Sequence, residues 1–356
     1  MSAVLRIGLD VPLAPPAAFE LLIDELTFAL GRLGLEFTPG PDGRVTENQV
    51  IVGEVATWEP GVRATFRWHQ APWDPAGVTT IELRLEPGDA GTRITFEQRG
   101  PGDVIGGAGE VIGWAASAVL APVMRAASPG AFGDWFTDRH ARRPSGAQSR
   151  TTYADPLYHY PNFRVILSEL ALRADDAFLE VGCGGGALLK DALASGCRAA
   201  AVDHSAEMVH VARRTNAAAI AEGRLQIVQG SADALPFDRE TFTCAAMTGV
   251  LGFLPDPVAA FSEVRRVLRA GGRFVGLGSD PELRGTPGAP EPMASRLRFY
   301  DERQLEGLAR AAGFAEVWVI RRDLEAFARE AGVPDEHIAL FASPPGEGAR
   351  FLVCRA

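Results

Sequence analysis

Glu180 stands two residues ahead of the run Gly182-Cys183-Gly184-Gly185-Gly186, and a second acid, Asp203, closes an apolar stretch about twenty residues further on. A glycine-rich turn lets the backbone come into contact with a bound group, because glycine carries no side chain. Alone, the turn leaves two ligands open. With Ala187 in the third glycine place and Asp203 as a ribose acid, it satisfies the looser dinucleotide fingerprint. Glu180 argues for something else, since a carboxylate aimed at the turn repels a pyrophosphate and attracts an ammonium or sulfonium group. A second discriminating feature is the block Gly230-Ser231-Ala232-Asp233-Ala234-Leu235-Pro236-Phe237, with Phe261-Ser-Glu-Val-Arg-Arg-Val-Leu-Arg-Ala-Gly-Gly-Arg-Phe beyond it. Cys183 has no basic neighbour in sequence to lower its pKa, so it is expected to pack rather than react. The four cysteines form no CxxC pair and have no histidine at ligand spacing, so neither a metal site nor a disulfide framework is expected.

The elements that must position these residues alternate. Strands are expected at 178–181, 199–202, 225–229, 242–247 and 273–277. Helices are expected at 187–195, 206–222 and 257–269, with a last strand at 349–354. A βαβα order of this kind demands a parallel sheet with helices on both faces. The ligand then sits at the carboxyl ends of the strands, near the point where strand order reverses.

Together these residues resemble class I S-adenosylmethionine-dependent methyltransferases, in the branch of ubiquinone and menaquinone C-methyltransferases, over Tyr153 to Ala356. The resemblance implies a Rossmann-like doubly wound sheet with an antiparallel last strand, S-adenosyl-L-methionine as cofactor and S-adenosyl-L-homocysteine as product. By position, Glu180, Gly182, Cys183, Gly184 and Gly186 would hold the methionine part, and Asp203 would take the ribose hydroxyls. His204 and Met208 would flank the adenine, the backbone of Ala232 would read its edge, and Met247 and Thr248 would lie under the sulfonium. Most relatives carry an acid for the adenine amino group where this chain has Ser231, with Asp233 two places on. The stretch Tyr153 to Phe163 would form a lid over the sulfonium, with His159 or Tyr160 as candidate base; the loop Asp280–Pro292 and the segment Asp323–Ser343 are candidate substrate walls. The chain continues after its fourth strand as Met247-Thr-Gly-Val-Leu-Gly-Phe-Leu-Pro, without the Asp/Asn-Pro-Pro-Tyr/Phe motif of amine methylation.

The first half reads as a strand from Val4, a helix over Phe19–Leu33 opened by Pro15-Pro16, then alternating runs at 50–57, 62–69, 79–85 and 92–98 and a helical stretch from about Asp103 to Arg125. That is an α+β plan in which an antiparallel sheet wraps a long helix and leaves room for an apolar cavity. The run Val52 to Trp68, the later Gly91-Thr-Arg-Ile-Thr-Phe and Gly113-Trp114 resemble the SRPBCC (START-like, helix-grip) superfamily, in the branch related to the Hsp90-ATPase activator. Trp58, Trp68, Trp73 and Trp114 would pack in its core or line its cavity. The expected organisation is a domain at 1–138, a solvated linker at 139–152 and the methyltransferase domain at 153–356. With 45 acidic against 35 basic residues and a net charge of −10, the chain lacks the clustered positive charge of a nucleic-acid binder. No stretch reaches the length that spans a bilayer, and no signal peptide is read, so a cytoplasmic protein acting on a small molecule is expected, with a homodimer compatible. Two rivals stay open: a non-catalytic protein that senses the cofactor, motivated by Ser231, and a nicotinamide-dependent oxidoreductase, disfavoured by Glu180.

Overall fold

The computed structural model describes residues 2–68, 78–88, 91–101, 113–128, 130–144, 146–286, 288–343 and 347–356. The chain divides into two compact units, Met1–Trp135 and Phe136–Ala356.

In the first unit, seven strands form one antiparallel sheet in the order β1-β7-β6-β5-β4-β3-β2. They are β1 (Ser2–Val11), β2 (Leu35–Thr38), β3 (Arg44–Glu47), β4 (Val50–Glu59), β5 (Arg63–Trp68), β6 (Thr79–Gly88) and β7 (Gly91–Pro101). The helix Pro15–Gly31 starts on proline, whose fixed φ suits a first turn that lacks a side-chain cap. It buries Phe19, Leu22, Leu26 and Leu30 at helical spacing against Phe66, Leu83, Ile94 and Phe96 of the sheet. The antiparallel sheet gripping a helix agrees with the expected plan. Two strands, β2 and β3, were not anticipated, and the helical stretch runs through Ala115–Leu120 and Ala121–Ala126. Its expected beginning at 103–112 and Trp73 lie outside the described residues. Trp58 meets Phe19 edge-on at 5.2 Å, and Trp68 and Trp114 also lie against the core.

The second unit holds β8 (Ala177–Val181), β9 (Arg198–Asp203), β10 (Leu225–Gln229), β11 (Phe242–Met247), β12 (Leu268–Leu277), β13 (Glu316–Arg322) and β14 (Ala349–Arg355), in the sheet order β10-β9-β8-β11-β12-β14-β13. Strands β8 to β12 pair in parallel, and β14 runs antiparallel between β12 and β13. This is the expected Rossmann-like sheet with a reversed last strand. The order reverses between β8 and β11, which places the ligand crevice at the carboxyl ends of those two strands. The helix expected over 206–222 is broken into Ala206–Thr215 and Ala217–Ala221 by Asn216. The stretch 139–152, read from composition as solvated linker, carries a π-turn at Asp138–Arg142 and the helix Gly146–Ala154. Its contacts explain that helix better than its composition does: Arg150 pairs with Glu207 at 2.5 Å, and Ser149 Oγ donates to the Arg139 carbonyl at 3.0 Å.

Candidate functional site at the carboxyl edge of the second sheet

The turn after β8 folds back onto β9. The N–H groups of Gly182 and Cys183 both donate to the Val202 carbonyl, at 2.7 and 3.2 Å, and the N–H of Gly184 donates to Asp203 Oδ2 at 2.9 Å. Glycine is required here by close approach: a Cβ on Gly185 would lie 1.9 Å from the Tyr153 carbonyl oxygen, and one on Gly184 would lie 3.1 Å from the Tyr153 ring. Tyr153 therefore lies directly on the turn, its hydroxyl donating to the His140 carbonyl at 2.9 Å. Burial, with Asp203 nearby, pushes its phenol up to about 12. Asn216 secures the other side, its Nδ2 donating to the carbonyls of Gly186 at 2.9 Å and Ala212 at 3.1 Å.

Two acids face this turn in different states of satisfaction. Asp203 is held by backbone, its Oδ1 accepting from Ser205 N–H at 2.8 Å and its Oδ2 from Gly184 N–H, with one acceptor position left on each oxygen. Burial raises its pKa, and those N–H groups and His204, 3.9 Å away, pull against the rise. Glu180 is 2% exposed, and its Oε2 has no hydrogen-bond partner among the described residues. Burial and the charge of Asp203 hold its pKa well above the usual carboxylate range. A buried carboxyl oxygen without a partner is costly, and it suits a cationic group brought by a ligand. Thr248, just beyond β11, keeps a buried Oγ1 without a partner among the described residues. Burial, with Glu180 and Asp203 nearby, drives the Cys183 thiol far upward, which agrees with its packing role. Met208 and Met247 lie in the core without appreciable accessible surface.

The loop after β10 is held from both ends. Gly230 N–H donates to the Asp203 carbonyl at 3.0 Å, and Gln229 Nε2 to that of His204 at 3.2 Å. At the far end Glu263 accepts from Leu235 N–H at 2.8 Å, and Arg266 donates to the carbonyls of Leu235 and Phe237 at 3.0 and 2.8 Å. Ser231 and Asp233 are exposed and bonded to each other, hydroxyl to carboxylate, with Ala232 half-buried between them. Asn216, Glu263 and Arg266 were not singled out from sequence. For the last two the signal was available: they sit three apart on one helix face within a quoted motif, and they form an ion pair at 2.7 Å.

The stretch after Tyr153 supplies the two candidate bases, and the structure separates them. Tyr160 donates its hydroxyl to Asp155 at 2.8 Å, and burial together with that bond raises its phenol to about 12. His159 keeps an accessible ring, stacked 6.2 Å from that of Phe163, with no hydrogen bond to it among the described residues. The protein around it still desolvates the imidazolium and lowers its pKa, which favours the neutral, proton-accepting ring. Beside it, Tyr158 bonds His337 Nδ1 at 2.7 Å, which ties this stretch to the 3₁₀ turn Asp335–Leu340 within the segment 323–343. The loop at Asp280 is anchored by a buried pair with Arg350, which also reaches Glu282 at 2.9 Å.

A mostly parallel sheet with a glycine turn at its reversal point, an acid closing the second strand and a buried carboxyl oxygen without a partner among the described residues make this a Rossmann-like domain with a candidate ligand site. Residues 179–276 match the family described as methyltransferase domain, and residues 21–117 match activator of Hsp90 ATPase homolog 1-like protein; the chain joins one domain of each kind. It is 36% identical over 114 residues to an uncharacterized 37.1 kDa protein in transposon TN4556 of Streptomyces fradiae, covering 31% of this chain and 32% of that one. It is 34% identical over 115 residues to the demethylmenaquinone methyltransferase of Symbiobacterium thermophilum, covering 32% of this chain and 46% of the relative. The chain thus spans less than half the length of these curated relatives. A solved geranyl diphosphate C-methyltransferase from Streptomyces coelicolor A3(2) aligns with a TM-score of 0.43 at 14% identity, covering 60% of this chain and 85% of that one.

Proposed function

We propose that the second unit transfers a methyl group from S-adenosylmethionine to a small, apolar or aromatic metabolite. Glu180 carries this reading: its buried, unpartnered oxygen beside a turn closed to side chains fits the ammonium end of a methionine group and not a pyrophosphate. Glu180 and the turn Gly182–Gly186 would hold the methionine part, Asp203 the ribose, and His204 with the backbone of Ala232 the adenine. When bound, the cofactor supplies a methyl group already activated on sulfur. The chain's own work is then to orient an acceptor, exclude water and accept a proton where the acceptor must lose one. Tyr153 lies over the turn as an aromatic cover suited to a cation, and His159 would be the group that takes the proton. The similarity to a demethylmenaquinone methyltransferase suits a flat, apolar acceptor. Calorimetric titration with S-adenosylhomocysteine and with NAD tests the reading. Binding of S-adenosylhomocysteine is expected; tight binding of NAD alone would overturn it.

The first unit is assigned the part of binding or presenting the acceptor. Its support is an interior polar site: Gln98 is 5% exposed, its Nε2 lies 3.4 Å from Thr79 Oγ1, and its Oε1 has no partner among the described residues. The two roles separate in steady-state kinetics. His159→Gln is expected to lower kcat by roughly 100-fold, and Gln98→Leu to raise the acceptor KM, both with the cofactor Kd unchanged. Unaltered kcat in the first variant, or unaltered KM in the second, removes the corresponding role.

A further inference from the structure

The helix Ala206–Thr215 stops just before Asn216, whose backbone leaves the helical region at φ −114° and ψ 26° before a new turn begins at Ala217. The stop turns a buried side chain toward the glycine turn. Asn216 is 6% exposed, and its amide Nδ2 donates twice, to the Ala212 carbonyl one helical turn back and to the Gly186 carbonyl 30 residues away. Gly186 opens the helix Ala187–Leu193 with φ 79°, and that helix serves its carbonyl poorly: the Lys190 N–H stands 3.4 Å off, against 2.9 Å for the Asn216 amide. The fit is close, since a Cβ on Gly186 would lie 2.5 Å from Asn216 Nδ2. The two ends of the turn are therefore held by different means. Gly182, Cys183 and Gly184 are tied to Val202 and Asp203 of β9, whereas the Gly186 end hangs on one short bond from Asn216.

We propose that Asn216 is a positioning residue for the amino-acid half of the cofactor: by holding the Gly186 carbonyl it sets how tightly the turn grips the methionine part, and it leaves the adenosine part to its own anchors. The assignment rests on the reading of the second unit as an S-adenosylmethionine site. Both protons of the Asn216 amide are spent on carbonyls, so it acts on the ligand through Gly186. A turn released at Gly186 has to be ordered by the ligand itself, and that ordering lowers the affinity of whatever part of the ligand rests on the turn. The adenosine part answers to Asp203 and to the loop after β10, whose bonds to β9, Glu263 and Arg266 do not involve Asn216.

The test is isothermal titration of the full chain with S-adenosylhomocysteine and with 5′-methylthioadenosine, which keeps the adenosine and the sulfur and lacks the amino-acid end. Asn216→Ser separates the two bonds. A serine hydroxyl there can still donate its one proton to the carbonyl four residues back, as Ser262 does to Val258 at 2.8 Å, so the helix end stays capped while the bond to Gly186 is lost. Asn216→Leu removes both bonds at similar volume. Wild type is expected to prefer S-adenosylhomocysteine, and each variant to cut that preference about tenfold while its affinity for 5′-methylthioadenosine stays within about twofold. Melting curves are expected to show a loss in Asn216→Leu and a smaller one in Asn216→Ser, with the same change of ratio in both. A ratio between two ligands that share the adenosine end is not moved by a general loosening of the fold. Equal weakening of both ligands, or an unchanged ratio in either folded variant, overturns the positioning role alone. Failure of wild type to bind S-adenosylhomocysteine overturns the reading on which it rests.

Discussion

Glu180→Gln is expected to weaken S-adenosylhomocysteine binding by about 100-fold or more and, in the same protein, to raise the melting temperature of the ligand-free chain. The two effects have one cause. Burial and the neighbouring Asp203 make the ionised carboxylate of Glu180 unfavourable in the empty fold, as its strongly raised pKa records. An amide of the same shape removes that burden, so the apo protein gains stability. The cationic amino group of the ligand needs the ionised form, and truncating one partner of a buried charge pair costs about 2–5 kcal/mol, or roughly 30- to several-thousand-fold. The linkage has a definite sign. A carboxyl group with a raised folded pKa binds more protons in the native than in the unfolded state, so wild-type stability falls as pH rises from about 4.3 through the folded pKa. The glutamine variant should lose that component of the pH dependence and keep the part due to Asp203. Below the folded pKa, ligand binding must also expel the proton, so the calorimetric enthalpy in wild type should vary with the ionisation enthalpy of the buffer. Equal affinity in the variant, or a lower melting temperature with no change in its pH dependence, would remove Glu180 from the role assigned to it.

The features of the site that sequence makes legible are those whose partners are close along the chain or are backbone. Glu180, the glycine turn and Asp203 all lie on one β-turn-α-β unit, and short apolar runs place both acids at strand ends. Asn216 is different. It stands where helical periodicity predicts an unbroken helix, and only the return of Gly186 to its side chain, 30 residues away in sequence, makes a break there favourable. The helix Gly146–Ala154 has almost no apolar residues to mark a face, and what holds it is a set of long-range bonds, Arg150 to Glu207 and Pro144 to Ser205 among those flanking it. Strands β2 and β3 are four residues each, too short for alternation to stand out, and they exist because each pairs with a neighbour. His159 and Tyr160 are neighbours of comparable chemistry in sequence. Their division into a free imidazole and a bonded phenol depends on where Asp155 falls in space.

At the opposite, amino edge of the same sheet, Asp176→Ala is expected to destabilise the second unit by about 3–5 kcal/mol, roughly 6–20 °C in melting temperature, while leaving cofactor affinity intact. Asp176 is 7% exposed and joins three strands. Its Oδ1 accepts from the Thr243 hydroxyl of β11 at 2.6 Å, and its Oδ2 accepts from Arg173 N–H at 2.9 Å and from Arg273 of β12 at 2.6 Å. Its own carbonyl accepts from Arg198 N–H at the start of β9, at 3.1 Å. Burial pushes its pKa up, but the Thr243 hydroxyl, the Arg173 N–H and the Arg273 guanidinium outweigh it and hold the carboxyl below its ordinary value. Removing the side chain leaves a largely buried guanidinium and a hydroxyl without their acceptor, which is why the loss should exceed the net worth of any one bond. A depressed folded pKa contributes stability that is present above the unfolded value of about 3.9 and is lost as pH falls through the folded value. Asp176→Asn should therefore lie between wild type and alanine at pH 7 and converge on wild type in acid. Denaturation at two pH values, with S-adenosylhomocysteine affinity measured in parallel, separates this pin from the site: a stability loss below about 1 kcal/mol, or a loss of affinity without one, would mean that the two rims of the sheet are not independent.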